Sequence, residues 1–512
     1  MIDRRGVLAG LSAVPLVAAA PGDPVATTRC GRVRGLREGG VLVFRGIRYG
    51  ADTAPRRFQR ALPPTPWSDI ADATRYGPAS PQTKADEPTS EDCLFLNVWT
   101  PALDGGRRPV MVYLHGGAHA HGSGSDPLYD GANLVRRGNV VVVTLNHRLA
   151  GLGYAHLADL GGPAESANVG NLDIILALTW VRDNIAALGG DPGRVMIFGQ
   201  SGGGAKVVTL MAMAQARPLF HAAATMSGQH VTAIGPNHAT ERARAWMAAT
   251  GAKSVAELAA LPIGRLVDAM ATTDPYERKG EISFASTLDH RTLTRHPFYP
   301  DAPREAAHIP LICGNTRDET GYWLGATLKR GDTTWDNLPE RLGREMVKDV
   351  GVTHVIDRYR ALYPDRTPGQ ILLAASTAAR SWPGHLIQAE ERAKIGAATW
   401  MYQLDYPSPE AGGVLGAFHT LDIGLVFDNT RLPAARTGNG PDVRALAGRM
   451  ADAFIRLART GNPNGGDLPE WPQYDLARRG TMLFDRHVRV EDDPRREERL
   501  LFAVAPYVKP GG

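Results

Sequence analysis

The chain has 512 residues, of which 43% are hydrophobic and 21% are charged, a composition typical of an ordinary soluble globular protein. Its formal net charge is +4, and the basic residues are scattered without a long run, which argues against a nucleic-acid-binding surface. The three cysteines, Cys30, Cys93 and Cys313, allow at most one disulfide and are too far apart in the sequence to indicate a metal site. The length allows two or three domains or one large α/β domain with a deep pocket.

The N-terminus carries the pattern of a targeting segment. Arg4 and Arg5 precede an apolar run over residues 8–20 that ends in three alanines. This pattern resembles a twin-arginine export signal, and the run is too short to span a bilayer comfortably. We expect residues 1–20 to be an export signal peptide. The mature bacterial protein is then expected to be periplasmic or secreted, with no stable membrane anchor.

Strand and helix signals alternate along the rest of the chain, which is the α/β pattern. Alternating stretches on either side of Gly39-Gly40 predict an edge hairpin, formed by residues 27–36 and 41–47. Residues 171–188 have the apolar periodicity of a helix. Nearly continuous apolar runs predict strands buried on both faces of a mostly parallel sheet. These runs are 109–114, 140–145, 195–198, 222–226, 310–314 and 400–404, with a further strand ending at Trp99.

Two segments, 235–308 and 325–395, show helix and loop signals with little strand signal. We expect them to be helical insertions that form a cap over the sheet. The rest of the sequence shows no repeat, low-complexity tract or clear linker. The sequence therefore predicts a single domain over residues 21–512.

A glycine-rich turn between a predicted strand and a predicted helix contains a candidate nucleophile. Residues 199–203, Gly-Gln-Ser-Gly-Gly, match G-x-S-x-G, and a helix is expected over residues 206–212. Small neighbours are needed because such a turn holds the serine in a strained backbone conformation. With 57 glycines in the chain, a glycine-rich turn that merely contains a serine is the alternative interpretation.

A serine hydroxyl needs a base, an orienting acid and donors for the developing oxyanion, and in this kind of enzyme the order is Ser, acid, His. Asp318 and Glu319 follow an apolar strand, and adjacent side chains should point in different directions. Four histidines come after them: His354, His385, His419 and His487. Small residues precede His419, which suits a loop that approaches a nucleophile.

The loop over residues 114–119 follows a predicted buried strand and offers backbone N–H groups at small residues. Gly202, directly after the serine, offers another. Such donors contribute about 3–4 kcal/mol each in a transition state. Three histidines in and beside the loop suggest a metal, but a carboxylate cluster is lacking and a glycine-rich loop is a poor scaffold, so no metal is expected.

Several stretches together resemble the type-B carboxylesterases, a family that includes bacterial p-nitrobenzyl esterases and is related to cholinesterases. The resemblance covers about residues 25–505. It rests on stretches that appear in the family's order: residues 91–98 (Glu-Asp-Cys-Leu-Phe-Leu-Asn-Val), 146–149 (Asn-His-Arg-Leu), 168–173, 189–192, 314–319 and 416–427. It implies an α/β-hydrolase fold with a twisted, mostly parallel central sheet and no cofactor.

The resemblance also implies residue roles. Ser201 is the nucleophile, Glu319 the orienting acid and His419 the base, and the N–H groups of Gly117, Ala118 and Gly202 form the oxyanion hole. The implied activity is hydrolysis of small-molecule carboxylic esters through an acyl-enzyme, with no nucleic-acid partner. The oligomeric state is not readable from the sequence.

Three departures from the family pattern matter. Gln200 stands where many members have Glu, which predicts a weaker preference for cationic substrates. His119 replaces a common aromatic residue and is, like Gln200, a candidate to line the substrate pocket. Ser80 stands where the usual disulfide partner of Cys93 is found, so Cys93 is expected to be a free, buried thiol.

Two alternatives remain at this stage. One is a specialised hydrolase of polyesters, lactones, carbamates or esterified natural products. The other is a non-catalytic binding module similar to the cholinesterase-like adhesion proteins, against which the presence of all three triad residues argues.

Overall fold

The computed structural model describes residues 22–276, 280–346 and 348–507. The predicted signal peptide over residues 1–20 lies outside these residues, so export and a periplasmic or secreted location stay predictions. Within the described residues, the chain forms one large sheet and one small sheet, flanked by helices.

The large sheet has eleven strands in the order β14-β13-β12-β11-β10-β9-β7-β8-β6-β4-β3, and the small one has the order β1-β2-β5. The strands that can be described are β1 (Val25–Thr27), β2 (Arg32–Arg34), β3 (Leu36–Glu38), β4 (Val41–Arg48), β5 (Ile70–Asp72), β6 (Phe95–Thr100), β7 (Arg108–Leu114), β8 (Val141–Leu145), β9 (Gly190–Gln200), β10 (Ala222–Met226), β11 (Leu311–Thr316), β12 (Thr399–Leu404), β13 (Gly480–Phe484) and β14 (Arg489–Asp492). Strands β7 to β13 are parallel, whereas β3, β4, β6 and β14 pair antiparallel at the two sides. The predicted α/β-hydrolase fold with a mostly parallel sheet is confirmed.

Helices connect the strands. In the described part of the chain they are α1 (Ala132–Gly138), α2 (Ala150–Tyr154), α3 (Val169–Asn184), α4 (Gly202–Ala212), α5 (Pro236–Thr250), α6 (Val255–Ala260), α7 (Ile263–Asp268), α8 (Gly325–Arg330), α9 (Leu338–Glu345), α10 (Val352–Leu362), α11 (Pro368–Arg380), α12 (Trp382–Lys394), α13 (Leu421–Val426), α14 (Pro441–Thr460) and α15 (Arg496–Ala503). Across residues 22–276, 280–346 and 348–507, no helix combines the length and apolar character needed to cross a bilayer.

Alternate residues of the central strands enter two separate hydrophobic cores. Met111 and Tyr113 of β7 belong to one core with α14, and Val110 and Val112 belong to the other with α3 and α4. Successive strand side chains point to opposite faces, so a strand covered by helices on both sides must be apolar throughout. This explains why the sequence of the central strands is a continuous apolar run.

Several element boundaries differ from the sequence prediction. The arm predicted over residues 27–36 is split: β2 joins the small sheet, and only β3 pairs with β4 around Gly39-Gly40. Gly35 lies at the break, where an added Cβ would be 2.5 Å from the Val43 carbonyl oxygen. Helix α4 starts four residues earlier than predicted, and α3 gives way to a 3₁₀ turn over residues 185–188. Strands β13 and β14 were not predicted.

The two segments predicted to contain helices and loops do so where they can be described, and helix predominates only in the second. Residues 235–308 contain α5 to α7, and residues 325–395 contain α8 to α12. No strand of either sheet lies in the described part of these segments. Their role as cap insertions of a single domain over residues 21–512 stays a prediction.

Candidate active site

Ser201 lies at the corner between β9 and α4, with φ 56° and ψ −123°. This positive φ is strained for a residue with a side chain. Glycines make the tight corner possible, because an added Cβ at Gly199 would lie 2.6 Å from the Gly203 backbone, and one at Gly203 would lie 1.9 Å from the Leu114 carbonyl oxygen. The Ser201 N–H donates to the Met226 carbonyl oxygen at 2.8 Å, which ties the corner to β10. Helix α4 begins at the next residue, so its positive N-terminal end adjoins the serine.

Glu319 follows β11 and is buried. Its Oε1 accepts hydrogen bonds from the Ser227 hydroxyl at 2.6 Å and from the Thr316 N–H at 3.0 Å. Its Oε2 is in close contact with Nδ1 of His419. Burial alone would raise the pKa of Glu319, but the interaction with His419 and the hydrogen bonds from His419 and Ser227 outweigh it and lower the pKa. The carboxylate is therefore ionised at neutral pH.

The backbone N–H of His419 also donates to the Glu319 carbonyl oxygen, at 3.2 Å. On the other side of the ring, the amide Nε2 of Gln200 lies 3.2 Å from the ring Nε2. An ionised carboxylate can only accept, so the contact with Glu319 places the ring proton on Nδ1 and leaves the ring Nε2 unprotonated, able to accept from the Gln200 amide. Because Gln200 directly precedes Ser201, this contact brings the imidazole to the residue next to the serine.

Asp318 and Glu319 point in different directions, as the sequence predicts for adjacent residues. The Asp318 Oδ2 accepts from the Ala417 N–H at 3.0 Å, and its own N–H donates to the Ala417 carbonyl oxygen at 2.9 Å. Burial raises the pKa of Asp318, against the opposing effect of Arg317. Asp318 therefore holds the loop that carries His419, while Glu319 contacts the imidazole.

The other histidines that follow Glu319 in the sequence have different surroundings. His354 and His487 are exposed, and Nδ1 of the buried His385 lies 3.5 Å from the Cys313 sulfur. Of the four candidates, His419 is the one whose ring is hydrogen-bonded to Glu319.

The glycine-rich loop, residues 114–119, lies against the corner between β9 and α4 that carries Ser201. Gly117 and Ala118 have positive φ values of 82° and 54°. An added Cβ at Gly202 would be 1.9 Å from the Ala118 carbonyl oxygen, and one at Gly116 would be 3.5 Å from the Ser201 Cβ. The structure thus places Gly116 against Ser201 and Ala118 against Gly202, and the role of Gly117, Ala118 and Gly202 as an oxyanion hole stays a prediction.

Sequence reasoning missed residues that contact this site. The Ser227 hydroxyl donates to the Glu319 carboxylate. Ser227 directly follows β10, and this position could have identified it, because functional loops collect at the ends of parallel strands. The ring of Trp323 lies 4.9 Å from the His419 ring, centroid to centroid, and Tyr322 lies 6.1 Å away; both are about half exposed. In the sequence, these two large aromatic residues follow Glu319 by only three and four positions, which could have indicated that they lie near the site.

Of the two pocket candidates, Gln200 contacts His419. The other, His119, is buried and contacts Ser286 and Tyr154. Its Nε2 lies 3.2 Å from the Ser286 hydroxyl, and its ring packs edge-on against Tyr154. A pocket role for His119 stays a prediction. In the part of the chain that the structure describes, no group of three or more His, Cys, Asp or Glu side chains is placed to hold a metal ion.

Comparison with known proteins gives consistent matches over nearly the whole chain. The sequence model of the carboxylesterase family matches residues 22–502. The para-nitrobenzyl esterase of Bacillus subtilis is 34% identical over 93% of this chain and 97% of its own, and the phenmedipham hydrolase of Pseudarthrobacter oxydans is 32% identical over 88% and 93%. The crystal structure of the Geobacillus stearothermophilus carboxylesterase EST55 at pH 6.2 is similar with a TM-score of 0.82 and 35% identity, covering 93% of this chain and 99% of that one.

Proposed function

Since this chain belongs to the carboxylesterase family and is a carboxylic ester hydrolase, we propose that Ser201 is its nucleophile, His419 its general base and Glu319 the acid that orients the imidazole. The observation that carries the proposal is the continuous contact from Glu319 through His419 to Gln200, the neighbour of Ser201. No cofactor is needed for this chemistry.

The proposed reaction is acyl transfer through an enzyme-bound ester. As the Ser201 oxygen attacks the ester carbonyl, its proton passes to Nε2 of His419, and the oxyanion accepts hydrogen bonds from the N–H groups of Gly117, Ala118 and Gly202. The imidazolium then protonates the leaving alcohol. In the second half, His419 takes a proton from water, hydroxide attacks the acyl-enzyme, and the acid is released as the proton returns to Ser201.

The ionised Glu319 has two roles in this scheme. Its hydrogen bond to Nδ1 keeps the lone pair of His419 on Nε2, towards the nucleophile corner. Its negative charge stabilises the imidazolium that forms, and the Ser227 and Thr316 donors hold the carboxylate in place.

We propose small uncharged carboxylic esters as the substrates. The relatives named above are a para-nitrobenzyl esterase and a phenmedipham hydrolase, and here the side chain beside the nucleophile, Gln200, is neutral. A panel of p-nitrophenyl and natural esters, varied separately in the acyl and the alcohol part, identifies the preferred class.

The triad is tested by substituting its members and the neighbouring acid. Ser201→Ala should lose several orders of magnitude in kcat while unfolding at the wild-type temperature. Glu319→Gln should lose roughly 10⁴-fold, because the amide cannot stabilise the imidazolium and favours the wrong ring tautomer. Asp318→Asn is the matched control and should retain most of the wild-type rate, since its carboxylate is not in contact with the imidazole.

The activity of all three variants is measured as turnover of p-nitrophenyl acetate, with the initial burst of p-nitrophenol recorded at an excess of substrate over enzyme. Near-normal turnover in Ser201→Ala contradicts the mechanism. If kcat falls further in Asp318→Asn than in Glu319→Gln, then Glu319 is not the orienting acid.

A further inference from the structure

Lys206 is a fully buried lysine in α4, one turn after the candidate nucleophile. Lysine is almost never fully buried unless its charge is paired. No salt bridge found among the described residues involves Lys206. Its neighbours in the helix, such as Val207 and Val208, are apolar and equally buried. A lysine at this position therefore needs an explanation other than packing.

The ammonium group of Lys206 has a definite partner in the glycine-rich loop. Its Nζ donates to the Ala118 carbonyl oxygen at 2.8 Å. The same carbonyl oxygen lies where a Cβ of Gly202 would be, at 1.9 Å. Two residues of α4 thus fix this carbonyl, one by close packing and one by a charged hydrogen bond.

This contact bears on the backbone geometry of the loop. Ala118 has a φ of 54°, a left-handed conformation that is unfavourable for alanine. A charged hydrogen bond to its carbonyl offsets part of that cost, since hydrogen bonds to charged groups are about twice as strong as neutral ones. With the carbonyl fixed, the Ala118 N–H on the other side of Cα keeps its direction as well.

We propose that Lys206 is a positioning residue of the oxyanion hole: its ammonium group holds the Ala118 carbonyl, keeps the donor N–H groups aligned, and places a positive charge behind the oxyanion. The inference rests on the proposed function of Ser201 and the loop. It adds a buried cation to the groups that stabilise the transition state, although this cation does not touch the substrate.

The surroundings of Lys206 favour an electrostatic role. The charged and titratable groups that interact with it are the imidazoles of His115 after β7, His121 just beyond the glycine-rich loop and His147 after β8. Burial and the Lys206 charge lower the pKa of each, to about 3 for His115, so these rings are neutral at working pH. Burial also lowers the pKa of Lys206 to about 7.

The first test compares Lys206→Met with Lys348→Met. Methionine keeps most of the length and apolar bulk but cannot donate. Lys348 is also buried and donates to two backbone carbonyls, those of Phe502 at 2.8 Å and Ala505 at 3.2 Å, away from the site. The same substitution there reports the general cost of losing such a lysine.

In Lys206→Met we expect kcat to fall by roughly 10- to 100-fold with KM nearly unchanged, somewhat less than for loss of an oxyanion donor itself. Affinity for a trifluoromethyl ketone, which forms a tetrahedral adduct with the serine, should fall by a similar factor. Lys348→Met should lower stability and leave kcat unchanged. A wild-type kcat in Lys206→Met, or an equal fall in Lys348→Met, overturns the inference. A wild type that hydrolyses no ester overturns the proposed function instead.

The second test compares the pH dependence of kcat in the wild type and in Lys206→Met. Burial lowers the pKa of Lys206, so its ammonium form is lost on the alkaline side. Comparison with the variant separates the effect of Lys206 from that of every other titrating group. We expect an alkaline decline of kcat in the wild type that is absent in Lys206→Met, under conditions where circular dichroism shows both folds intact. The same alkaline limb in both enzymes overturns the inference.

Discussion

Gln200 is a neutral side chain at a position where a charge would act directly on His419, the proposed base. Its Nε2 lies 3.2 Å from Nε2 of His419, and the side chain is buried. A carboxylate in this place would face the His419 nitrogen that receives the serine proton in the proposed mechanism. It would also add a negative charge next to Ser201, where a cationic alcohol group of a substrate could be attracted.

We expect Gln200→Glu to raise kcat/KM for a cationic ester relative to a neutral ester of the same shape by about tenfold, which corresponds to about 1.4 kcal/mol. Gln215→Glu adds the same charge at an exposed position and is the matched control. Steady-state kinetics on a choline ester and its uncharged carbon analogue measures the ratio. An unchanged ratio in Gln200→Glu shows that this position does not set charge preference.

The residues of the site differ in how far the sequence alone could identify them. Ser201 follows from a local motif, because the corner needs small residues at fixed offsets. The order of its partners was taken from the kind of enzyme of which this motif is typical. The sequence could not decide between Asp318 and Glu319 without the resemblance, because only the direction of each side chain separates them. Lys206 and Ser227 act across elements, and no local pattern shows that a helix residue reaches the Ala118 carbonyl.

Some of the stretches that carry the family resemblance contribute contacts between elements of the fold rather than residues of the candidate active site. Arg148, after β8, forms a buried, two-bonded ion pair with Asp173 of α3, with distances of 2.6 Å and 2.8 Å. The Arg148 N–H also donates to Asp173 at 3.1 Å. This pair joins the first turns of α3 to the loop that follows the central strand β8.

Removing one partner of a buried ion pair leaves the other charge uncompensated, which typically costs about 3–5 kcal/mol. We therefore expect Asp173→Asn to lower the free energy of unfolding by about that amount, as measured by urea denaturation followed by tryptophan fluorescence. Glu340→Gln removes one partner of the exposed pair Glu340–Arg344 and should leave the midpoint unchanged. Equal effects of the two substitutions would show that burial of the first pair does not matter.

Most strands that are buried on both faces were predicted, with the exception of β13, whose first two residues, Gly480 and Thr481, shorten its apolar run. Residues 222–226 form β10 with the predicted bounds, because a short, nearly continuous apolar run is typical of a strand buried between two layers of helices. Strand β14 was missed since its side chains are half-buried or exposed, at the sheet edge. The split of the first hairpin arm was missed because which sheet β2 joins depends on its partner β5, 36 or more residues away in the chain.

For the molecule as a whole, the cysteines show how the fold is stabilised. All three, Cys30, Cys93 and Cys313, are free, which confirms the prediction for Cys93. Ser80 interacts with the Cys93 thiol, and this interaction opposes the effect of burial on the thiol pKa. The described structure therefore depends on its two large hydrophobic cores rather than on disulfides, even though the sequence predicts export to an oxidising compartment.

The thiols should differ sharply in reactivity, because alkylation needs both access and the thiolate form. Cys93 and Cys313 are fully buried, and burial raises the pKa of both thiols, to about 12 for Cys313. Cys30 is partly exposed, with a smaller burial effect that also raises its pKa. We expect iodoacetamide to label one cysteine in the native protein, Cys30, and all three in guanidinium without reductant, as counted by intact mass spectrometry. Cys30→Ser should abolish the native label, and a single labelled cysteine after denaturation of the wild type would reveal a disulfide that contradicts this arrangement.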